Sequence, residues 1–506
     1  MQKHCLTSWK INHVYFPHTS YLIFGIISNT MKSESALVPR KFLPVFAMLV
    51  SCFALWGLLN NMTDHLVPAF KTIFNLPDST AVYVQVSFYG SYSVIAIFAS
   101  MLIQKAGYRA GLLWGLGVYI IGALMYVPAC MTQSFWLYII GIFVVAGGCA
   151  MLETTCNPYV LAIGDESTAV RRLNFAQMFN PVGSIAGIIL AQQLILANLN
   201  PATVDERAQM APEILKGIVD KELFWVCVPY VGLCAVAAVI WAFFFVSKNS
   251  VAVADEDETS DYRTIFRILA KSPKWYLGVV AQVFYVGVQI AAWTYINLYG
   301  QYEFGITKAE AANYYVISIV VFIVCRWVAT FLMKYVNPAK LMACFAAAAI
   351  AFTAGVMYLP GNVLFSVRGL PFSWNIICLI LTSGCMSLMF PTIYGIALGG
   401  IDRRAHKVGA AGLIMAIVGG AILTKWMANI ISSQLVLQSG EIVKGAVVEG
   451  SAFLKLVPAF SSAVNWDLNT SAAALRASFA VPVICFAVVL AYALIFKNNN
   501  TNKEIK

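Results

Sequence analysis

The chain has 506 residues, of which 60% are hydrophobic and only 11% are charged, and its mean hydropathy is +0.76. A soluble domain of this length would need far more surface charge, so the composition excludes a soluble globular protein and indicates one that crosses a membrane many times. The formal net charge of +10 is interpreted as an orientation signal, and no nucleic-acid partner is inferred from it.

Twelve apolar runs are each long enough, at about 20 residues, to cross a bilayer as a helix. Long runs favour helices over a β-barrel, whose strands would be short and alternating. The predicted spans are 43–68, 80–103, 109–130, 135–163, 172–197, 223–247, 275–300, 310–334, 339–360, 372–400, 408–433 and 475–496. The sequence therefore predicts an all-α membrane protein.

A charge-rich stretch divides these helices into six and six, and its composition is that of a solvated linker. The predicted organisation is an N-terminal segment 1–41, a first half 42–247, a cytoplasmic linker 248–274, a second half 275–497 and a tail 498–506. Residues 1–30 are unusual, and Met31 resembles an ordinary start, so a start at Met1 and a start at Met31 both stay open.

Lys and Arg predict the orientation, because they collect in cytoplasmic loops. With both termini inside, about two-thirds of the 33 Lys and Arg residues fall in cytoplasmic segments. We therefore expect both termini to be cytoplasmic. The cysteines lack the paired spacing of a zinc site or a disulfide framework, and they are interpreted as apolar packing residues.

Two carboxylates interrupt the predicted helices. Asp64 ends the run Asn60-Asn61-Met62-Thr63-Asp64 in the first helix, and Glu153 lies in the fourth, one turn before Asn157. An ionisable group at such depth costs about 2.5–3.5 kcal/mol to insert and by default marks an ion or substrate pathway. The alternative for each of them is a helix-end carboxylate wetted at the interface. Together the two acids predict a proton-linked transporter.

Short matches relate the two halves. Asn157-Pro158 in the fourth helix corresponds to Phe390-Pro391 in the tenth, and Val182-Gly183 corresponds to Val418-Gly419, both at offsets of about 235 residues. Proline-interrupted helices at matching positions of two halves point to a binding site near the middle of the membrane. The alternative is that membrane helices simply tolerate proline.

Polar stripes run along the fifth and seventh helices at helical spacing. Amides, a carboxylate and aromatic rings suit a sugar, since its hydroxyls need donors and acceptors and its C–H face stacks on an aromatic ring. The alternative is that these amides join helices, at about 0.6 kcal/mol each. The stripes are Asn174, Gln177 and Asn180 in the fifth helix, and Gln282, Tyr285, Gln289 and Trp293 in the seventh.

Over roughly residues 42–497, the chain resembles the bacterial L-fucose/proton symporter family of the major facilitator superfamily. The matching runs are Asn60 to Asp64 with Pro68, Leu152-Glu153-Thr154 with Asn157-Pro158, Arg172-Leu173-Asn174 with Gln177 and Asn180, Tyr285-Val286-Gly287 with Gln289 and Trp293, Ala311-Ala312-Asn313-Tyr314, and Pro391-Thr392-Ile393. This resemblance implies the major facilitator fold, with two six-helix halves in a bacterial inner membrane.

The resemblance also implies roles. Asp64 corresponds to the proton-translocating carboxylate and Glu153 to the carboxylate coupled to sugar recognition. Arg326 resembles a family arginine with a conformational role; the alternative is that it snorkels to the inner interface. The remaining expected sugar-binding residues are Asn61, Asn157, Gln177, Asn180, Tyr285, Gln289 and Trp293. The expected partners are a sugar, protons and the lipid bilayer, with no cofactor, no metal and a monomeric chain.

Three departures from the family pattern leave the exact sugar open: Thr63 before the aspartate, Lys425 in the eleventh helix, and a long outer loop at 434–474. L-Fucose is placed first, with glucose, galactose or another neutral hexose as the alternative. A drug or metabolite exporter of the same superfamily and a sugar sensor are further alternatives. A membrane-embedded enzyme is disfavoured, because the five histidines are dispersed and no catalytic motif joins them.

Overall fold

The described part of the chain contains twelve spanning helices. The computed structural model describes residues 36–76, 80, 83–202, 206–207, 209–247, 261–439 and 471–497. Eleven helices in this part are long and apolar enough to span a membrane. One of them, Tyr83–Met131, is broken at Gly107, whose φ of 80° is not helical, so it contains two spans. The questions of the true start and of the long loop beyond Ser439 lie outside the described residues.

In chain order we number the spanning helices α1 to α12. They are α1 Arg40–Ile73, α2 83–106, α3 108–131, α4 Phe135–Ala162, α5 Glu166–Asn198, α6 Pro212–Val246, α7 Pro273–Phe304, α8 Lys308–Leu332, α9 Pro338–Tyr358, α10 Trp374–Leu398, α11 Arg403–Ile431 and α12 Leu475–Phe496. A short linker helix, Tyr262–Ala270, precedes α7, and strands β1 Phe365–Val367 and β2 Leu370–Phe372 form an antiparallel hairpin between α9 and α10.

The predicted spans are confirmed in number and order. Their ends differ where polar residues extend a helix beyond its apolar run: α6 begins at Pro212, although its apolar run starts at 223. We call the end of the bundle that carries the linker helix the linker end, and the end that carries the β-hairpin the hairpin end. α1 starts at the linker end, and successive helices alternate in direction.

Local capping signals fix several helix ends. The Thr307 side chain accepts a hydrogen bond from the Glu310 amide, and Glu310 accepts one in return from the Thr307 amide, which is a complete capping box at the start of α8. Gly305 ends α7 in the left-handed conformation, with φ 64°. Asn337 caps α9, and Pro338 occupies its first turn, where a missing N–H costs nothing.

Glycines bring equivalent helices of the two halves into close contact. A Cβ atom added to Gly183 of α5 would lie 2.0 Å from the Ala54 carbonyl oxygen of α1. A Cβ atom added to Gly419 of α11 would lie 2.1 Å from the Val283 carbonyl oxygen of α7. The same small-residue contact therefore joins the matched helices, which supports the internal repeat read from the sequence.

Arg172 fixes α4 against α5. Its side chain is fully buried, and its Nε and Nη2 atoms donate to the carbonyl oxygens of Val160 and Leu161 at 2.7 Å each. These carbonyls belong to the last turn of α4, where helix oxygens lack intrahelical partners and attract positive charge. The arginine thus sets the position of α4, which carries Glu153.

Large apolar side chains cover the outside of the bundle. Trp114, Val239 and Phe331 are 61%, 70% and 60% exposed, respectively. On a soluble protein such a surface would cause aggregation. On a multi-pass membrane protein it is the surface that faces lipid, which is consistent with the composition of the chain.

The glycine contacts generate a stability prediction. Gly183→Ala should lower the free energy of unfolding by about 1–3 kcal/mol, because the new methyl group has no space against Ala54. Gly419→Ala should do the same in the second half. Thermal unfolding of the detergent-purified protein measures both effects.

Gly232→Ala in α6 is the matched control, since a Cβ atom there meets nothing within 4 Å. It should be neutral or stabilising by up to about 1 kcal/mol, because alanine favours a helix over glycine. Equal melting temperatures for Gly183→Ala and Gly232→Ala would contradict the packing argument.

Candidate functional site

A central cavity of about 820 Å³ lies between the two halves. It opens toward the hairpin end, because its walls include residues at that end of four helices. They are Gln85 of α2, Gln192 of α5, Asn297 of α7 and Ala312 of α8. Most of the expected sugar-binding and proton-coupling residues line this one space.

At the linker end the halves are in direct contact. Asn174 Nδ2 of α5 donates to Thr392 Oγ1 of α10 at 3.2 Å. The backbone amide of Gly400 donates to Glu166 Oε1 at 3.0 Å. Lys407 Nζ of α11 lies 5.0 Å from the centre of the Tyr108 ring in the first half. The site is thus closed at one end and open at the other.

Asp64 lies at a break in α1 and lines the cavity. Regular α-helix ends at Asp64 and resumes at Leu66, and His65 connects the two segments. Protonated Nδ1 of His65 donates to the Asn61 carbonyl oxygen at 2.7 Å. The alternative of a carboxylate at an outer helix end does not describe this position, because the helix continues to Ile73.

The side chain of Asn61, about one turn closer to the linker end than the break, bridges the two halves. The Tyr315 hydroxyl of α8 donates to Asn61 Oδ1 at 3.1 Å, and Asn61 Nδ2 donates to the Gly57 carbonyl oxygen at 3.2 Å. One turn of α1 therefore places an amide and a carboxylate on the cavity wall together.

Glu153 lines the cavity from α4 and is only 7% exposed. Its backbone oxygen accepts a hydrogen bond from Asn157 Nδ2 at 2.9 Å, and Asn157 Oδ1 accepts one from Gln177 Nε2 at 2.8 Å. Among the described residues, no hydrogen-bond partner contacts the carboxylate oxygens of Glu153 or of Asp64. An ionised carboxylate at the buried Glu153 is costly without a ligand, whereas Asp64 is exposed to the cavity, where water can reach its carboxylate.

Arg326 of α8 closes the cavity at its deepest level, which we call the floor. Its Nη1 donates to the Gln177 carbonyl oxygen across the half-to-half boundary at 2.8 Å, and its Nε donates to the Ser387 carbonyl oxygen. The guanidinium also lies 4.6 Å from the centre of the Phe322 ring. Arg326 is 3% exposed, so these contacts support a conformational role rather than snorkelling to an interface.

From α7, Gln289 and Trp293 line the opposite wall. Trp293 Nε1 donates to Ser383 Oγ at 2.9 Å, which holds the ring edge-on to Tyr315 and Phe322. The apolar face of one indole and the hydrogen-bonding groups of one amide are thus presented side by side.

Two expected contact residues do not line the cavity. Asn157 and Tyr285 are fully buried, and the Tyr285 hydroxyl donates to the Met386 carbonyl oxygen at 3.0 Å. Each lies one helical turn closer to the linker end than its neighbour on the wall, Glu153 or Gln289. The polar stripes were placed on the correct helix faces, but they continue below the floor into the closed interface.

The sequence reading missed several aromatic and amide residues of the walls. Tyr315 directly follows the recognised run that ended at Tyr314, whereas Tyr314 itself donates to the Pro371 carbonyl oxygen beside the hairpin. Helical spacing from Ala311 and Ala312 does not by itself tell which of two adjacent tyrosines faces inward. Other missed wall residues include Asn60, His65, Tyr89, Tyr92 and Asn297.

Comparison with known proteins gives three findings. The Major Facilitator Superfamily profile matches residues 35–424. The L-fucose-proton symporter of Haemophilus influenzae is 36% identical over 91% of this chain and 98% of its own, and the glucose/galactose transporter of Brucella abortus is 26% identical over 88% and 92%. The crystal structure of the transporter FucP in the outward conformation is 28% identical, covers 90% of this chain and 99% of its own, and has a TM-score of 0.73.

The contacts at the linker end generate a prediction about access. Lys407→Met should raise the labelling rate of Thr392→Cys by a water-soluble maleimide about 2- to 30-fold. A cation–π contact is worth about 0.5–2 kcal/mol, and tenfold corresponds to about 1.4 kcal/mol. Its loss should favour states in which the interface around Thr392 is open.

Lys340→Met is the matched control, since Lys340 is exposed at the start of α9 and outside the interface. Protein that retains Thr392 gives the background from native cysteines. In the Thr392→Cys background, equal labelling of the introduced cysteine with Lys407→Met, with Lys340→Met and with neither change would contradict a closing role for this contact.

Proposed function

Because this chain belongs to the L-fucose–proton symporter family of the major facilitator superfamily, we propose that it carries L-fucose and protons together into the cell. The observation that carries the proposal is one cavity in which two carboxylates, without hydrogen-bond partners in the described part of the chain, face amides and an indole. A proton-coupled sugar carrier needs both kinds of group in one place. No bond in the sugar is made or broken, so the proposed function is transport and not an enzymatic reaction.

Alternating access follows from the arrangement of the halves. The cavity open at the hairpin end admits a proton to Asp64 and a sugar to the space between Glu153 and Trp293. Closing of the hairpin end and separation of the contacts around Asn174 and Lys407 would then release both at the linker end. Protonation of Asp64 removes the cost of carrying its charge through an occluded state.

The proposed orientation places the linker end in the cytoplasm of a bacterial inner membrane. This assignment rests on the excess of Lys and Arg in the loops of that end. Both termini are then cytoplasmic, and the cavity faces outward. One chain contains both halves and the complete cavity, which supports a monomer as the working unit.

L-Fucose is proposed before other hexoses for two reasons. A 6-deoxy sugar carries a methyl group that needs an apolar contact, and Trp293, Phe322 and Phe390 line the cavity. The chain is also more similar to the reported fucose symporter than to the reported glucose/galactose transporter. A glucose/galactose or other neutral-hexose carrier remains the second candidate, because the same amides can bind further hydroxyls.

The direct test uses the purified protein in liposomes with an inward proton gradient. Uptake of labelled L-fucose should be competed by excess L-fucose and only weakly by D-glucose, D-galactose or D-mannose. Strong competition by glucose would favour the second candidate. Binding without flux would favour a sensor, and efflux without uptake an exporter.

Asp64→Asn should abolish proton-driven accumulation while keeping sugar exchange. The amide resembles the protonated carboxylate in shape and charge, but it cannot release a proton. Counterflow and gradient-driven uptake in the same liposomes measure the two activities separately. Accumulation at the level of the unaltered protein would remove Asp64 from the coupling mechanism.

Glu153→Gln should weaken sugar affinity, since a neutral amide accepts weaker hydrogen bonds than a carboxylate. The loss should be largest where the carboxylate is ionised, so the affinity of the variant should vary less between pH 5 and 8. Equilibrium sugar binding across that pH range provides the measurement. An unchanged affinity and pH profile would return Glu153 to a structural role.

Gln289→Ala should cost about 1–3 kcal/mol of sugar binding, because it leaves sugar hydroxyls unpaired. Gln282→Leu is the matched control on the same helix. Gln282 is fully buried outside the cavity walls, and among the described residues its amide has no hydrogen-bond partner. Sugar-binding isotherms of both variants distinguish the two roles. Equal losses of sugar affinity in Gln289→Ala and Gln282→Leu would show that the polar residues of α7 act through folding rather than through contact with the sugar.

A further inference from the structure

The charged residues of the cavity are divided between the halves by sign. Asp64 and Glu153 come from the first half, and Arg326 and Lys425 come from the second. Lys425 is one of the three departures from the family pattern, and it is exposed to the cavity. Neither the sugar-binding groups nor the contacts of the closed end give it a role.

The four charges lie at two levels. With a rise of about 1.5 Å per residue, Asp64 is about 36 Å along α1 from Arg40, and Lys425 is about 33 Å along α11 from Arg403. Both helices start at the linker end, so these two side chains share an upper level.

The other pair lies near the floor. On the same scale, Glu153 is about 14 Å from the linker end of α4, and Arg326 is about 9 Å from the linker end of α8. Each level therefore contains one acid from the first half and one cation from the second.

Only the lower cation is engaged in this conformation. Arg326 donates to carbonyl oxygens on both sides of the floor. Among the described residues, neither Lys425 nor Asp64 forms an ion pair. The open hairpin end keeps the two upper charges on separate walls, and closing of that end must bring these walls together.

We propose that Lys425 is the counter-charge of Asp64 in the conformation closed at the hairpin end. The inference rests on the proposed symport function. When the carrier opens at the linker end, the Asp64 carboxylic acid gives its proton to water there, and the carboxylate that forms pairs with the Lys425 ammonium, which keeps its own proton. The empty carrier then returns with a neutral pair instead of an isolated charge.

This pairing would make proton release depend on conformation. In the open state Asp64 has no ion-pair partner among the described residues and accepts a proton from the outside. In the closed state the ammonium stabilises the ionised carboxylate and displaces the proton. When Asp64 is protonated, the long side chain of Lys425 can extend to water at the rim. The other titratable or charged groups facing the cavity are His65, Tyr89, Tyr92, Glu153, Tyr315 and Arg326.

Transport by Lys425→Met in liposomes tests the proposal. Exchange of L-fucose across the membrane should stay within about threefold of the unaltered protein, because exchange does not require the empty carrier to return. Gradient-driven net uptake should fall at least about tenfold. Lys425→Arg should restore net uptake, and Lys340→Met, outside the cavity, should leave both activities unchanged.

Two results would overturn the proposal. One is net uptake by Lys425→Met equal to that of the unaltered protein. The other is loss of exchange and sugar binding together in a variant that purifies as a folded monodisperse protein, which would make Lys425 a sugar contact. If sugar acids such as glucuronate compete with L-fucose only when Lys425 is present, the lysine binds an anionic substituent instead, and the pairing is rejected.

A second readout does not depend on the sugar. Trp56 and Trp293 line the cavity, so tryptophan fluorescence of sugar-free proteoliposomes can be titrated with pH. The transition that disappears in Asp64→Asn belongs to Asp64. Its midpoint should rise in Lys425→Met, because a positive partner of the carboxylate is lost, and should return in Lys425→Arg. An unchanged midpoint in Lys425→Met rejects the pairing, whatever the transport result. Failure of the unaltered protein to transport any tested sugar would instead reject the proposed function.

Discussion

The high free energy of an ionised carboxylate inside a membrane is the constraint on which this structure depends. Asp64 and Glu153 have no hydrogen-bond partner for their carboxylates among the described residues, so each is stabilised by a proton or by what enters the cavity, to which Asp64 is exposed while Glu153 is buried. A cavity that opens to water at one end supplies both. The arrangement around it, with contact between the halves at the linker end and separation at the hairpin end, follows from the same requirement, since simultaneous access from both ends would let protons leak.

In the proposed mechanism, the rest of the bundle holds the two carboxylates in place while the halves move. Within each half the contacts are tight: Gly183 meets α1, Gly419 meets α7, and Arg172 holds the end of α4. Between the halves, the polar contacts of the described residues are isolated hydrogen bonds and one cation–π contact, and apolar packing such as that of Gly395 against Val170 adds to them at the linker end. The tight contacts within each half favour its movement as a rigid body about the central site in the proposed mechanism.

The sequence predicted residues of this cavity best where a single position within an apolar run carries the information. A charge within an apolar run stands out regardless of the fold, and for that reason Asp64 and Glu153 were found. Helical spacing located the correct faces of α5 and α7. It could not locate the floor, because depth along a helix depends on where the opposite half makes contact. Asn157 and Tyr285, each one turn too deep, were therefore expected as sugar contacts but support the wall from behind.

Two further features needed three-dimensional information. The side chain of Tyr315 is distinguished from Tyr314 by a rotation of about 100° around α8, which only the packing of α8 against the cavity can assign. The break at Gly107 follows from its backbone conformation, although the predicted spans already ended on either side of it.

The acids of the cavity lie on the first half and the cations on the second, so closure of the cavity brings opposite charges together. Acids on one wall and cations on the other attract more strongly as the walls approach, because distance and local dielectric fall together. A protonated acid loses this attraction. Proton binding therefore changes the free-energy difference between the open and closed conformations, and this coupling needs no contact between the sugar and the proton-binding residue. In the proposed mechanism, sugar selectivity depends on the amides and Trp293 and proton coupling depends on the charged residues, so a change in one need not change the other.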